Sequence, residues 1–118
     1  MDLAHARREL LAMLVKQSVC RGTFTLASGA TSDLYVDCRQ TTMDPRGAIL
    51  VGRVGWAVMK RAAAERNVVI HSVGGLTMGA DPIALSIGIA AHMANEPLRK
   101  SQERTGRATV LRACGHIR

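Results

Sequence analysis

The stretch VVIHSVGGLTMGADPIA, at residues 68–84, decides the fold. Its first six residues, Val68–Val73, are mainly apolar and β-branched, which is typical of a parallel strand covered on both faces. A glycine-rich loop follows, and Asp81-Pro82 then stands where a helix takes its cap and its first residue. Strand, loop and helix in this order indicate an α/β fold. We expect the helix to continue to about Ala94, through apolar positions at Ile83, Ile87, Ala90 and Ala91.

A strand, a glycine loop and a helix amino terminus together form an anion site, because free backbone amides converge there beside the positive end of the helix dipole. The dipole contributes only about 0.3–1 kcal/mol at an exposed helix end, so several amides must act together. Those amides belong to Leu76, Thr77, Met78 and Gly79. The loop fits neither the Gly-x-Gly-x-x-Gly pattern nor the Walker pattern, which disfavours dinucleotide and Walker-type ATP binding. A plain turn between strand and helix is the alternative.

Two elements are expected near the start of the chain. Apolar side chains recur at three- and four-residue steps over residues 3–20, which predicts an amphipathic helix capped by Asp2 and closed by Gly22. Two short β-type runs, Phe24–Leu26 and Leu34–Cys38, flank a connection rich in turn formers. This arrangement predicts a β-hairpin.

A second long helix is expected to start at Asp44-Pro45 and to run to about Arg66. The Asp side chain can accept the free amides of the first turn, and Pro loses no hydrogen bond at the first helical position. We predict that Trp56 lies at a partly covered edge of the core. The buried stripe of this helix is predicted to comprise Ile49, Leu50, Val54, Ala57, Val58 and the aliphatic stem of Arg61.

Length and composition narrow the class of protein. A chain of 118 residues and 12.7 kDa has the size of one domain, and 47% hydrophobic with 21% charged residues excludes disorder throughout. No stretch is long and apolar enough to cross a bilayer, and residues 1–20 are unlike a secretory signal, so we expect a cytoplasmic protein. The cysteines, Cys20, Cys38 and Cys114, are expected to be reduced thiols. No histidine has a second ligand at metal-binding spacing, so no protein-held metal is expected.

The net charge of +7 is distributed unevenly. Residues 1–96 carry ten Lys and Arg against eight Asp and Glu, whereas residues 97–118 carry six against Glu103 alone. We therefore expect two regions, a folded part at residues 1–99 and a basic tail at residues 100–118. A basic tail can attract nucleic acid, but it contains no aromatic residue on which bases could stack, so nucleic-acid binding is disfavoured.

Two segments, Phe24–Gly47 and Val73–Ala84, resemble orotate phosphoribosyltransferase, a type I phosphoribosyltransferase. In that family a Phe-Thr-Leu-x-Ser-Gly segment leads into the hood over the base, and a glycine loop before a Pro-Ile-Ala helix holds pyrophosphate. The resemblance implies an α/β fold: part of a Rossmann-like parallel sheet with helices, plus an N-terminal helix and a hood hairpin. Residues 1–99 would be the N-terminal part of such a domain.

The resemblance also implies a reaction. Ribose 5-phosphate is transferred from phosphoribosyl pyrophosphate, accompanied by Mg²⁺, to orotate, which yields orotidine 5′-phosphate and pyrophosphate in a homodimeric enzyme of pyrimidine biosynthesis. By motif match, Ser28 and Gly29 fall in the hood loop, Tyr35 and Val36 fall against the orotate ring, and the loop amides of residues 76–79 fall on pyrophosphate. The alternative for Tyr35 is a core aromatic on a strand. No catalytic residue is assigned.

The sequence departs from the family pattern at three places. Ala27 stands where many members have a lysine, and no two acidic residues are adjacent, although adjacent acids mark the ribosyl-phosphate site of the family. A mobile lid should follow Arg99, but residues 100–118 do not resemble it. We therefore hypothesise a truncated or frame-shifted family product whose activity alone is incomplete. The alternatives are a non-catalytic fragment that assembles with an intact subunit, and a basic nucleic-acid-binding protein.

Overall fold

The computed structural model describes residues 2–96 and Leu98, and its elements begin with two helical segments and a hairpin. Helix α1 passes directly into one π-helical turn, and helix α2 is a single turn between the hairpin and the long helix α3. In chain order the elements are α1 (Leu3–Met13), the π-helical turn (Leu14–Ser18), β1 (Val19–Thr25), β2 (Thr31–Val36), α2 (Arg39–Thr42), α3 (Pro45–Glu65) and α4 (Asp81–Met93). Over this part of the chain, no helix combines the length and the hydropathy that a membrane span requires.

The first predicted helix is confirmed, but its predicted end at Gly22 is wrong. Helical structure stops at Ser18, and Val19 is already extended and paired with Val36. The backbone groups of β1 find partners on β2, and this pairing replaces the last predicted turn of helix. Asp2 stands at the N-cap position, although its side chain makes no capping hydrogen bond.

The predicted hairpin is confirmed, and β1 and β2 form an antiparallel pair. Its loop is closed by hydrogen bonds from the Leu26 amide to the Ala30 carbonyl at 2.8 Å and from the Gly29 amide to the Leu26 carbonyl at 2.9 Å. Gly29 has φ 83°, a left-handed conformation that glycine adopts without steric cost. A bulge interrupts the pairing between Arg21 and Phe24.

The predicted start and end of the long helix α3 are confirmed. Asp44 caps it, since its side chain accepts hydrogen bonds from the Arg46 amide at 2.9 Å and the Gly47 amide at 3.0 Å. Pro45 is the first helical residue, and the helix ends at Glu65, one residue from the predicted end.

The predicted buried stripe of α3 is correct for Leu50, which is buried, and wrong for Ile49, Val58 and Arg61, which are exposed; Val54 and Ala57 are half-buried. Ile49 and Val58 are 62% and 53% exposed, whereas Trp56 is buried in the core, not at its edge. The reason is a close approach of α4 at two glycines: a Cβ on Gly52 would overlap the Ser86 carbonyl, and one on Gly55 would lie 2.8 Å from Ile87 Cγ1. The residues of α3 that are buried are Gly47, Leu50, Gly52, Trp56, Met59 and Ala63.

The core lies between α3 and α4, and the predicted inward face of α4 is confirmed. Trp56, Met59, Ile87 and Ala91 form the buried cluster, and partly buried side chains pack against it: Ile70, Val73, Ile83, Ala90 and Leu98.

The segment Val68–Val73 was predicted as a parallel strand, and in the structure it lies outside any strand. A β-strand needs a neighbouring strand to pair its amides and carbonyls, and the hairpin is the only sheet within residues 2–96 and 98. Ile70 and Val73 nevertheless pack against the helical core, whereas Val68 and Val69 are exposed, so the segment is covered on one side and not on both as predicted. It leads directly into the glycine loop.

Candidate functional site

The glycine loop, residues 74–80, joins the core-packed segment to α4. Its ends approach each other closely, because a Cβ on Gly75 would overlap the Ala80 side chain and because the Ala80 amide donates to the Leu76 carbonyl at 3.0 Å. The Thr77–Met78 peptide bond is cis. A Cβ on Gly79 would meet no atom within 4 Å, so the space beside that residue is open.

Four consecutive amides of this loop have no acceptor in the part of the chain that the structure describes. Among the described residues, no hydrogen bond uses the backbone nitrogen of Leu76, Thr77, Met78 or Gly79. All four residues are exposed, with Leu76 at 80% and Met78 at 79%. The donors that an anion site requires are therefore available, whereas ligand binding by them stays a prediction.

The N-terminus of α4 follows the loop at once, but the predicted cap residue is wrong. Ala80 occupies the N-cap position and Asp81 is the first helical residue, because the Ala80 amide already closes a turn onto Leu76. The Asp81 carboxylate is exposed in the first turn and makes no capping hydrogen bond. An acid here stabilises the helix dipole and also repels an approaching anion, so neutral amides must supply the attraction for a phosphate.

The hairpin places the other predicted site residues. Ser28 and Gly29 lie in its exposed loop, and Tyr35 and Val36 lie next to each other on β2. Each of the two β2 side chains is 46% exposed, so the alternative of a core aromatic at Tyr35 is wrong. The rings of Tyr35 and Phe24 are in contact, with centroids 5.5 Å apart and planes inclined by 33°.

Sequence reasoning missed the ion pair between Asp37 and Arg39, directly after β2. The Asp37 carboxylate accepts hydrogen bonds from Arg39 Nε at 2.9 Å, from Arg39 Nη2 at 3.2 Å and from Gln40 Nε2 at 3.4 Å. The hydrogen bond with Arg39, followed by that with Gln40, lowers the pKa of Asp37, and the same contact raises the pKa of Arg39. An Asp-x-Arg sequence at the end of a strand was the available signal.

The structure brings the predicted residues together in two groups. Ser28, Gly29, Tyr35 and Val36 share the hairpin, and residues 76–79 share the glycine loop. Within the described ranges no hydrogen bond, ion pair or ring contact joins one group to the other. Cys20 and Cys38 are free thiols, as expected, whereas Cys114 and the basic tail lie outside the described residues.

Comparison with known proteins identifies the relatives of this chain. Orotate phosphoribosyltransferase of Rhodopirellula baltica is 45% identical over 78 residues, which are 66% of this chain and 40% of that protein. The same enzyme from Thermosynechococcus vestitus is 38% identical over 95 residues, 80% of this chain and 47% of the relative. No protein-family model matches the chain.

Solved structures give the same result. The crystal structure of Mycobacterium tuberculosis orotate phosphoribosyltransferase superposes with a TM-score of 0.57 at 40% identity, over 70% of this chain and 46% of that one. A phosphoribosyltransferase from Corynebacterium diphtheriae has a TM-score of 0.56 at 28% identity, over 87% and 55%. These neighbours confirm the predicted fold class, a partial α/β phosphoribosyltransferase fold. The chain spans about half the length of the curated relatives it matches, and it is homologous to the N-terminal part of orotate phosphoribosyltransferases.

Proposed function

We propose that this chain provides the base-binding hood and the pyrophosphate loop for transfer of ribose 5-phosphate from phosphoribosyl pyrophosphate to orotate. The observation that carries the proposal is the run of four exposed residues, 76–79, directly before α4, whose amides have no acceptor among residues 2–96 and 98. Its family relationship favours this function over the nucleic-acid-binding alternative. The division between residues 1–99 and the tail at 100–118 remains part of the proposal.

The chemistry assigned to the loop is stabilisation of the leaving group. As the bond between the sugar and pyrophosphate breaks, negative charge grows on the pyrophosphate oxygens, and backbone amides fixed by the loop can donate to them without rearrangement. The sugar passes through a state resembling an oxocarbenium ion, so the reaction needs no covalent nucleophile. Tyr35 supplies a half-exposed ring against which the orotate ring can pack, whereas Val36, the next residue of β2, faces the opposite side of the strand.

Mg²⁺ enters this proposal as part of the substrate. The described residues contain no group of three or more His, Cys, Asp or Glu that could hold a metal ion, and Asp81 is the one carboxylate in the first turn of α4. These residues do not fit a resident magnesium centre. We therefore assign the ion to the diphosphate oxygens of phosphoribosyl pyrophosphate, where it lowers the charge that the loop amides must receive.

We also propose a homodimer, with the outer face of α4 as its contact surface. Apart from Asp81, Ser86 and His92, every residue of α4 is apolar, glycine or proline, and a helix that is apolar all round is normally covered on both sides. Leu85, Ile89 and Met93 are 66%, 55% and 77% exposed on this helix. Beside them lies an apolar cleft of about 680 Å³ between α1, α3 and α4.

A ridge beside a groove suits a two-fold contact, in which each copy fills the cleft of the other. Both proposed substrates are anions that do not cross a bilayer unaided, so we place the activity in the cytoplasm.

Calorimetric titration of the chain with pyrophosphate, and then with phosphoribosyl pyrophosphate and Mg²⁺, tests the loop assignment. Gly79→Ala adds a methyl group where the structure has open space, so it leaves folding intact but occupies the approach path of a phosphate. We expect this variant to bind pyrophosphate at least about 10-fold more weakly, a change of about 1.4 kcal/mol. Gly88→Ala, also without neighbours within 4 Å, is the matched control and retains affinity. No heat from either ligand with the unmodified chain would refute the proposal.

A further inference from the structure

The bulge in β1 changes which side chains meet on the hairpin. Arg21 pairs with Leu34 and Phe24 pairs with Ser32, so Gly22 and Thr23 together oppose the single residue Asp33. Cys20 pairs with Tyr35, and Phe24 stands four residues after Cys20, so period-two alternation along β1 places Phe24 on the same face as Tyr35. The extra residue of the bulge shifts the partner of Phe24 from Thr31 to Ser32, one position nearer to Tyr35.

The Phe24 ring lies against the ring of Tyr35. The two ring centroids are 5.5 Å apart at an inclination of 33°, within the range of favourable aromatic pairs. Gly22 leaves room for this arrangement, since a Cβ at that position would stand 3.5 Å from Phe24 Cζ and 3.6 Å from Cε2. The ring therefore packs over bare backbone as well as against Tyr35.

Tyr35 has little other support. It lies in a two-stranded hairpin, is 46% exposed, and in the described part of the chain has Phe24 as its one ring contact. A half-exposed tyrosine without a neighbour can occupy several rotamers, and restricting it when a ligand binds reduces affinity. A second ring that already holds the side chain removes that loss.

We propose that Phe24 is a positioning residue, which holds the Tyr35 ring in the orientation that meets a planar, anionic pyrimidine base. This inference rests on the proposed function, because it assumes that Tyr35 contacts the base. Phe24 itself acts through Tyr35 and is not assigned a contact with the substrate.

The composition of the chain makes a direct test possible, because it contains one tyrosine and one phenylalanine. Tyrosine labelled in its ring gives NMR signals from Tyr35 alone, and these can be followed during titration of the full chain with orotate. Phe24→Leu removes the ring and keeps an apolar side chain, Phe24→Trp restores an aromatic ring, and Leu34→Ala is a control for general weakening of β2.

We expect nuclear Overhauser contacts between the two rings in the unmodified chain and a change in the Tyr35 ring signals in Phe24→Leu. Orotate should bind this variant about 2- to 10-fold more weakly, the range that corresponds to loss of one aromatic pair. Phe24→Trp should recover most of the affinity, and Leu34→Ala should bind within about 2-fold of the unmodified chain.

Three results would overturn the inference. Equal orotate affinity in Phe24→Leu and the unmodified chain would show that Phe24 does not position Tyr35. Equal weakening in Leu34→Ala and Phe24→Leu would assign the effect to the hairpin as a whole. If the ring contact is present but orotate leaves the Tyr35 signals of the unmodified chain unchanged, the base site assigned to this hairpin is itself wrong, which is a failure of the proposed function.

Discussion

Gly52→Ala should destabilise the protein although alanine favours helices more than glycine does. A Cβ at residue 52 would overlap the carbonyl oxygen of Ser86 and would lie 3.3 Å from Ala90 Cβ, so α3 and α4 must separate to admit it. Overpacking of this kind costs about 1–3 kcal/mol. Gly88→Ala, at a position in α4 with no atom within 4 Å, adds the same methyl group without a collision.

The two variants share the gain in helix propensity, about 1 kcal/mol, so their difference in the free energy of unfolding isolates the steric cost at the contact. We expect the free energy of unfolding of Gly52→Ala to be about 1–3 kcal/mol lower than that of Gly88→Ala. In a thermal scan its melting temperature should be at least about 4 °C lower. Urea unfolding followed by the fluorescence of Trp56, the one tryptophan of the chain and a member of the α3–α4 core, measures it directly. Equal stability of the two variants would refute the close packing of α3 on α4.

Three further predictions concern other contacts. Ser18→Ala should lower the free energy of unfolding by about 1–3 kcal/mol, because it leaves the buried Thr41 hydroxyl without its partner at 2.7 Å. In urea unfolding, the double variant Ser18→Ala/Thr41→Val should be more stable than Ser18→Ala, and the reverse order would contradict this reasoning. Asp44→Ala should cost about 1 kcal/mol through loss of the two cap hydrogen bonds of α3, whereas Asp44→Ser should retain most of the stability in thermal unfolding. Because Arg39 lowers the pKa of Asp37, this carboxylate stabilises the hairpin at pH values above its ordinary pKa of 3.8. That contribution is lost as the pH falls through the lowered pKa. NMR titration should give a higher Asp37 pKa in Arg39→Gln, and an unchanged pKa would argue against the ion pair between the two residues.

Local chemistry made the hairpin and the capped start of α3 predictable. Asp44-Pro45 determines a helix start through two side-chain hydrogen bonds, and neither depends on distant parts of the chain. The turn residues 26–30 likewise bring β1 and β2 together by local geometry, whereas residues 31–33 of the predicted connection already belong to β2. The glycine loop was located on the same basis. Within the described ranges its amides at residues 76–79 have no acceptor, and their role as donors to a ligand stays a prediction.

What the sequence could not supply depends on contacts between distant elements. Apolar periodicity predicted that Ile49 and Val58 face the core, but both are exposed. The close contact between α3 and α4 is made at glycines, which have no apolar side chain that a periodicity argument could use. Val68–Val73 reads as a strand from its composition, but strand structure requires a paired neighbour. The Phe24–Tyr35 contact depends on the pairing register of the hairpin, which includes a one-residue bulge that no periodic pattern indicates.

The contact between Gly52 and Ser86 has a mechanical consequence for the glycine loop. Ser86 lies five residues after Asp81, about 7.5 Å along the helix axis from the first turn of α4. At this point the backbone of Gly52 contacts the backbone carbonyl of Ser86. Because residue 52 has no side chain, no flexible group separates the two helices there. A ligand that displaces the loop should therefore move α3 and α4 together. Its binding should raise the melting temperature of both helices.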